Sequence, residues 1–299
     1  MKQWQIRPGD AGPALIASDV ATPEPGPGDV RVEVHATSLN YRDHLLATGR
    51  YPGATLPVVP VSDGAGIVTA VGPGVTDVSL GDRVVGMTLP CWLDGDFDPR
   101  MRRRMIGFAI DGWLQDEVVM PDTALVRIPD GMSFASAATL PCAGVTAWNA
   151  VIETGRIGPG DSLVTLGTGG VSMFAVQLGK LVGARVTVTS SSDDKLARAQ
   201  AVGADDAVNY RRHPDWHTVV RELTGDTGVD LVVETVGDMD RSTLATRWGG
   251  LVAVVGLLAH YAGNRTPDDS PERPPQRNAR VTPILMGPRR MLARLVRAY

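Results

Sequence analysis

The chain has 299 residues, 43% of them hydrophobic, with 34 glycines, 22 prolines and a formal net charge of −4 at pH 7. That length and apolar content point to two globular domains, and the mixed, slightly acidic charge excludes a nucleic-acid footprint. No apolar run is long enough to span a bilayer, the start Met1-Lys-Gln-Trp-Gln-Ile-Arg7 lacks the apolar core of a signal peptide, and the two cysteines, Cys91 and Cys142, make no disulfide framework, so a cytoplasmic protein is expected.

The first 130 or so residues alternate short β-rich runs with Gly/Pro turns, predicting strands over 30–35, 66–72, 81–86 and 115–120 in a small antiparallel barrel or sandwich. The basic cluster Arg100-Met-Arg-Arg-Arg104 is either a solvated loop or a wall that attracts an anionic substrate or cofactor phosphates. Trp92, Phe108 and Trp113 line an apolar substrate pocket or belong to the core of this domain. From Ser133 the pattern turns helical, over 134–152, and strand–helix units begin at Asp161. The boundary is therefore set at 130/131, with a β-domain over 1–130 and a nucleotide-binding domain over 131–299.

Residues 163–166 run straight into Gly167-Thr168-Gly169-Gly170-Val171-Ser172, and an apolar helical pattern follows over 173–182. A strand, a glycine turn and a helix in that order make a dinucleotide pyrophosphate site. Gly167 allows the tight turn, Gly169 lets the backbone approach the pyrophosphate, and the first free N–H groups of the helix face the anion. Ser172 replaces the third glycine and is small enough to keep helix and strand close. The ordinary alternative is a βα connection that binds nothing.

A second buried strand is predicted over 185–189. Its tip carries Ser190-Ser191-Ser192, with Lys195 a few residues on, where an NAD-preferring enzyme places a carboxylate for the ribose hydroxyls. Uncharged donors and a cation suit a 2′-phosphate, so NADP(H) is the expected cofactor. Asp193 and Asp194 could reach the ribose, but they also read as first-turn acids with Ser191 or Ser192 as helix N-cap. Further strands over 206–209, 229–233, 251–255 and 281–285 alternate with helices, which implies a parallel, doubly wound sheet.

These features resemble the medium-chain dehydrogenase/reductase superfamily, and within it the zinc-independent quinone oxidoreductase-like and alcohol dehydrogenase-like branch. The resemblance rests on Ser38-Leu-Asn-Tyr-Arg-Asp43, Pro57-Val-Val-Pro-Val-Ser-Asp-Gly-Ala-Gly-Ile-Val68, Leu140-Pro-Cys-Ala-Gly-Val-Thr-Ala-Trp148, the glycine turn and Ala201-Val-Gly-Ala-Asp205. It implies an α/β fold with a chaperonin-10-like β-domain beside a Rossmann domain, and a small carbonyl or quinone substrate. A homodimer falls within the same expectation. At the positions where zinc-dependent relatives carry Cys, His and Cys, this chain has Asn40, Ser62 and Cys142, so no metal is expected. His35 and His44 are expected to be ordinary strand and helix residues, and Cys142 a packed hydrophobe.

Without zinc, hydrogen-bond donors must polarise the carbonyl. By resemblance Asn40, Tyr41, Arg42 and Asp43 lie beside the nicotinamide, with Asn40 and the Tyr41 hydroxyl orienting the substrate oxygen. Arg42 pairs with Asp43 or helps hold the cofactor. The structural alternative has Asp43 capping a helix that starts near His44, with Arg42 solvated. Thr146 matches a position that touches the nicotinamide side in the family, or else bonds back to a carbonyl one turn earlier. Tyr210 is expected by the 2′-phosphate, while Val236, Gly256 and Leu257 stand at the carboxyl ends of strands, where ligands of open α/β sheets sit.

The polar, proline-rich stretch from His260 to Ala279 departs from the family and reads as a mobile loop. The family pattern resumes at Arg280 and runs through a helix over 291–298; the closing elements that relatives add after it are absent from this sequence. The function expected is metal-free hydride transfer from NADPH to a quinone, enone, aldehyde or ketone. Enoyl-thioester reduction or an alcohol dehydrogenase-like activity is the rival within that class. A cofactor-binding sensor without catalysis is the rival from another class.

Overall fold

A computed structural model describes residues 1–10, 12–255 and 278–299. It contains two compact units, Met1–Val145 with Gly287–Tyr299, and Thr146–Met286.

The first unit opens with an antiparallel ribbon of β1 (Lys2–Arg7) and β2 (Ala14–Asp19). Neither was anticipated from the sequence, because β2 is almost wholly exposed and so lacks the apolar alternation that marks a half-buried strand. Next come β3 (Asp29–Ser38), α1 (Tyr41–Ala47), β4 (Asp63–Val71), β5 (Arg83–Gly86), β6 (Glu117–Pro121) and β7 (Leu125–Arg127). The five later strands form one antiparallel sheet in the order β6-β3-β4-β5-β7. The predicted strands correspond to β3, β4, β5 and β6; β7 is too short to show a pattern.

Val30, Val32, Val68, Val84 and Val118 pack around Trp113, which is fully buried. A Cβ at either Gly64 or Gly86 would fall 2.2 Å from the Trp113 ring, so both strands need glycine where the indole lies against them. Trp92 and Phe108 are also buried, which assigns all three aromatics to the core. The basic cluster forms an exposed 3-10 turn, Pro99–Arg104, with Arg100 paired to Asp98.

The helical stretch is less regular than its pattern predicts. It consists of α2 (Phe134–Ala138), a π-turn at Leu140–Gly144, α3 (Val145–Trp148) and a second π-turn at Asn149–Thr154. Pro141 in the first turn of the Leu140–Gly144 segment has no N–H for an α-helical bond, which favours this break.

The second unit carries β8 (Ser162–Leu166), α4 (Gly170–Leu181), β9 (Arg185–Ser190), α5 (Asp193–Ala201), β10 (Asp206–Asn209), α6 (Trp216–Leu223), β11 (Val229–Glu234), α7 (Met239–Ala245), β12 (Thr246–Val254) and β13 (Arg280–Pro283). All six strands run parallel in the order β10-β9-β8-β11-β12-β13. The order reverses at β8, so its carboxyl end is the switch point where such sheets take ligands. Val164, Val208, Trp216, Val232 and Val252 form the core here. β12 begins five residues before the predicted strand, because the exposed Trp248 and Gly249 disguise its start. The last helix, α8 (Arg289–Ala298), belongs to the first unit and buries Leu292, Leu295 and Val296. Gly256, Leu257 and residues 260–277 of the proline-rich stretch lie outside the described residues.

Candidate functional site

In the second unit, β8 ends at Leu166 and the chain turns at Gly167, whose φ of +75° lies in the left-handed region. Its N–H donates to Thr189 Oγ1 at 3.3 Å, tying the turn to β9. No atom lies within 4 Å of where a Cβ would stand on Gly167 or Gly169, so both face open space. Gly169 is the N-cap of α4 and caps nothing with a side chain, which leaves the first N–H groups of a twelve-residue helix, Gly170, Val171 and Ser172 among them, without intrahelical partners. The Ser172 hydroxyl is buried and donates to the Leu166 carbonyl at 2.9 Å. This third small residue therefore locks helix to strand. The cradle fits a dinucleotide pyrophosphate: it is open, lined by backbone and set at the positive end of a helix.

Beside it a cavity of about 290 Å³ is lined by Gly167, Thr189, Tyr210, Trp216, Val236 and Arg241. Tyr210 and Val236 thus share one depression with the glycine turn. Glu234, fully buried at the end of β11, accepts from the N–H groups of Val236 and Gly237 at 2.7 Å each and so shapes the loop. The strand motif gave no sign of that role.

At the tip of β9, the buried Ser190 accepts Tyr210 N–H on its carbonyl at 3.0 Å and Ser192 N–H on its hydroxyl at 3.3 Å. Ser191 is half-buried beside it. Ser192 occupies the N-cap of α5 without capping it through its side chain. Lys195 is exposed in the first turn of α5 and makes no ion pair among the described residues.

In the first unit, Asn40 is the N-cap of α1, and its backbone N–H donates to Asp43 Oδ2 at 2.7 Å. The helix starts at Tyr41 rather than near His44, because this reciprocal cap lies one turn earlier. Arg42 is not solvated: it is 4% exposed and donates from Nη2 to the Ile106 carbonyl at 3.1 Å. Tyr41 is half-exposed, its ring 5.9 Å from that of His44. Thr146, where the second unit begins, is buried within α3.

The residue that sequence reasoning passed over is Asp63. It is completely buried, with Oδ1 accepting from Ser62 Oγ at 2.5 Å and from Thr88 Oγ1 at 3.4 Å, and Oδ2 accepting from Cys142 N–H at 3.0 Å. Burial pushes its carboxyl up to about 6, opposed by the Ser62 bond, the neighbouring Asn40 amide and the Arg42 charge. Asp43 is raised as well, again by burial, and is drawn back by the Asn40 backbone N–H and the Arg42 charge. The Asn40 amide acts on the Asp63 carboxylate as a hydrogen-bond donor and lowers it, while its buried Nδ2 makes no bond of strict hydrogen-bond geometry among the described residues. Just before this cluster Val61 sits at φ +72°, a strained conformation for a β-branched residue, held by Trp113 N–H on its carbonyl at 2.8 Å. The signal available in sequence was Asp63 itself, inside the Pro57–Val68 motif.

Among the described residues, no group of three or more His, Cys, Asp or Glu is arranged to hold a metal ion. The chemistry of the donors agrees. Asn40 and Ser62 are poor zinc ligands, and burial together with the Asp63 charge pushes the Cys142 thiol far up, away from the thiolate a metal needs. At these three positions the side chains are therefore poor ligands for a zinc ion.

Residues 26–130 match the alcohol dehydrogenase GroES-like domain, and residues 170–298 the zinc-binding dehydrogenase domain. A zinc-type alcohol dehydrogenase-like protein of Schizosaccharomyces pombe is 41% identical over 238 residues, covering 78% of this chain and 69% of that protein. The chain belongs to the medium-chain dehydrogenase/reductase superfamily. Among solved structures, the putative alcohol dehydrogenase from Sinorhizobium meliloti 1021 superposes with a TM-score of 0.90 at 39% identity, covering 99% of this chain and 87% of that one. An NAD-dependent alcohol dehydrogenase gives 0.84 at 34% identity, with 99% and 88% covered. The protein is an oxidoreductase of a nicotinamide-dinucleotide-dependent family, with a GroES-like β-unit and a Rossmann unit. Among the described residues, no helix is long and apolar enough to cross a membrane.

Proposed function

We propose that this oxidoreductase uses NADPH to reduce a quinone, enone, aldehyde or ketone without a metal ion. The observation that carries the metal-free part is the donor set: where zinc-dependent relatives place thiolates and an imidazole, an amide, a hydroxyl and a protonated thiol surround a buried carboxylate. The preference for NADPH is supported by the serine tip of β9, Lys195 and Tyr210, none of which offers the ribose a carboxylate. A cytoplasmic setting and a homodimer belong to the same reading.

The bound nicotinamide supplies the hydride. Asn40 Nδ2, a buried donor with no bond of strict geometry, holds the substrate oxygen and stabilises the negative charge that grows on it. The Tyr41 hydroxyl, half-exposed at the helix start, donates a proton to that oxygen. Arg42 and Asp43 act one step back: one anchors α1 to the Ile106 carbonyl, the other fixes the Asn40 backbone. Thr146 lies on the nicotinamide side, and the Gly167–Ser172 turn holds the pyrophosphate.

NADPH oxidation followed against a panel of quinones, enones, aldehydes, enoyl thioesters and alcohols, before and after chelator treatment, tests the assignment. Turnover with quinones, enones or aldehydes that survives chelation is expected. Turnover that stops on chelation and returns with zinc would sink the metal-free reading, and activity confined to enoyl thioesters or alcohols would shift the substrate class.

A further inference from the structure

Just past the serine tip of β9, α5 opens on a carboxylate that ought to argue for NADH, and its partners decide what it does. Asp193, the first residue of α5, accepts on Oδ1 from Asn209 Nδ2 at 2.8 Å and pairs through the same oxygen with Arg212. Asn209 is nearly buried at the end of β10, and its own Oδ1 accepts from the Arg211 N–H at 3.0 Å. The Tyr210 N–H between them is bonded to the Ser190 carbonyl at 3.0 Å. Asp193, Asn209 and Arg212 therefore form one bonded group next to Tyr210, which Ser190 holds by its N–H and which lines the cavity beside the glycine turn.

Two contacts hold the carboxylate, and they differ in kind. The Asn209 bond comes from a nearly buried amide on a strand end. The Arg212 pair is exposed, with both side chains more than 60% accessible, and exposed pairs of this type contribute little and exchange readily. We infer that Arg212 is a second cation for the 2′-phosphate of NADP(H), parked on Asp193 in the free protein, and that Asp193 is a positioning residue rather than a ribose ligand. A phosphate monoester carries between one and two negative charges and several acceptor oxygens, so it displaces a single carboxylate from a guanidinium fork. Asn209 keeps Asp193 in place when Arg212 leaves. An NADH ribose has no such charge to offer, so Arg212 stays parked and adds nothing.

This inference rests on the NADPH reading above, and the two fail differently. Binding of NADPH and NADH is titrated by nicotinamide fluorescence on the unmodified protein and on Arg212→Gln, Asp193→Asn and Lys195→Ala. Arg212→Gln is expected to weaken NADPH about tenfold and leave NADH within twofold. Asp193→Asn, which keeps a carbonyl for Asn209 but removes the charge competing for Arg212, is expected to tighten NADPH several-fold with NADH unchanged. If Asp193→Asn instead weakens NADH, the carboxylate is a ribose ligand and the inference is overturned. It is overturned alone if Lys195→Ala discriminates between the cofactors while Arg212→Gln does not. Equal affinity of the unmodified protein for both cofactors removes the NADPH reading and this inference together.

Discussion

At the scale of single residues, the buried Asp63 should make the stability of the β-unit depend on pH. A carboxyl whose folded value lies above its unfolded one binds its proton more tightly in the folded state. Its contribution to stability is present in full below about 3.8 and is lost as pH rises through about 6. The loss is at most about 3 kcal/mol, from roughly two units at 1.36 kcal/mol each. Asp63→Asn keeps the shape and cannot ionise. Urea unfolding from pH 4 to 7 should therefore show a decline in the unmodified protein that shrinks in the variant. Asp43, raised in the same direction and itself one of the charges that raise Asp63, accounts for decline that remains in the variant. Parallel curves would mean that Asp63 keeps its ordinary value. Asn40→Ala should lower kcat for carbonyl reduction roughly a hundredfold while NADPH affinity stays within twofold, the expectation for losing one donor to a developing oxyanion. Stopped-flow hydride transfer with a quinone reads this directly.

Two glycines two positions apart make contrasting predictions at the scale of the β8–α4 element. Gly167→Ala forces a side chain into a φ of +75° and should destabilise the Rossmann unit by about 1 kcal/mol. Gly169 has φ −75° and no neighbour within 4 Å, so Gly169→Ala should leave stability within about 0.5 kcal/mol. Yet its methyl stands where the pyrophosphate must approach, and dinucleotide affinity should fall more than about tenfold. Thermal unfolding paired with fluorescence titration separates the two outcomes; a Gly169→Ala protein that binds as before would remove the pyrophosphate assignment. In the β-unit, Trp113→Ala should cost about 3–5 kcal/mol, measured by denaturant unfolding, because Gly64 and Gly86 leave no side chain able to fill the space of the indole.

For the molecule as a whole, a ligand that binds only the folded form raises its stability by mass action, about 2.7 kcal/mol at a hundred times its dissociation constant. NADPH at a fixed concentration should therefore raise the melting temperature more than NADH does. An equal rise with both would speak against the 2′-phosphate subsite. The order β10-β9-β8-β11-β12-β13 sets the carboxyl ends of β9 and β10, and with them Ser190 and Tyr210, beside the β8 switch point, so the proposed subsite would draw on segments distant in sequence.

Local signals carried much of this protein. The run from Ser162 to Ser172 specified strand, turn and helix, because backbone conformation at Gly167 and helix–strand spacing at Ser172 depend on residues only a few positions apart. Apolar alternation likewise revealed β3 to β6, and buried β-branched runs revealed the parallel strands. The ribbon of β1 and β2 stayed hidden, because pairing of exposed strands rests on backbone bonds that leave no hydrophobic pattern. Only tertiary structure decided which polar residues would be buried together. Asp63 meets Cys142 across 79 positions of chain, and Thr88 across 25, and its raised pKa exists only once those neighbours exclude water. Asp193 reads in sequence as a first-turn acid or a residue reaching the ribose, and the fold gives it Asn209 and Arg212. Propensity and periodicity are properties of short segments, whereas desolvation and charge pairing depend on which segments the sheet order brings side by side.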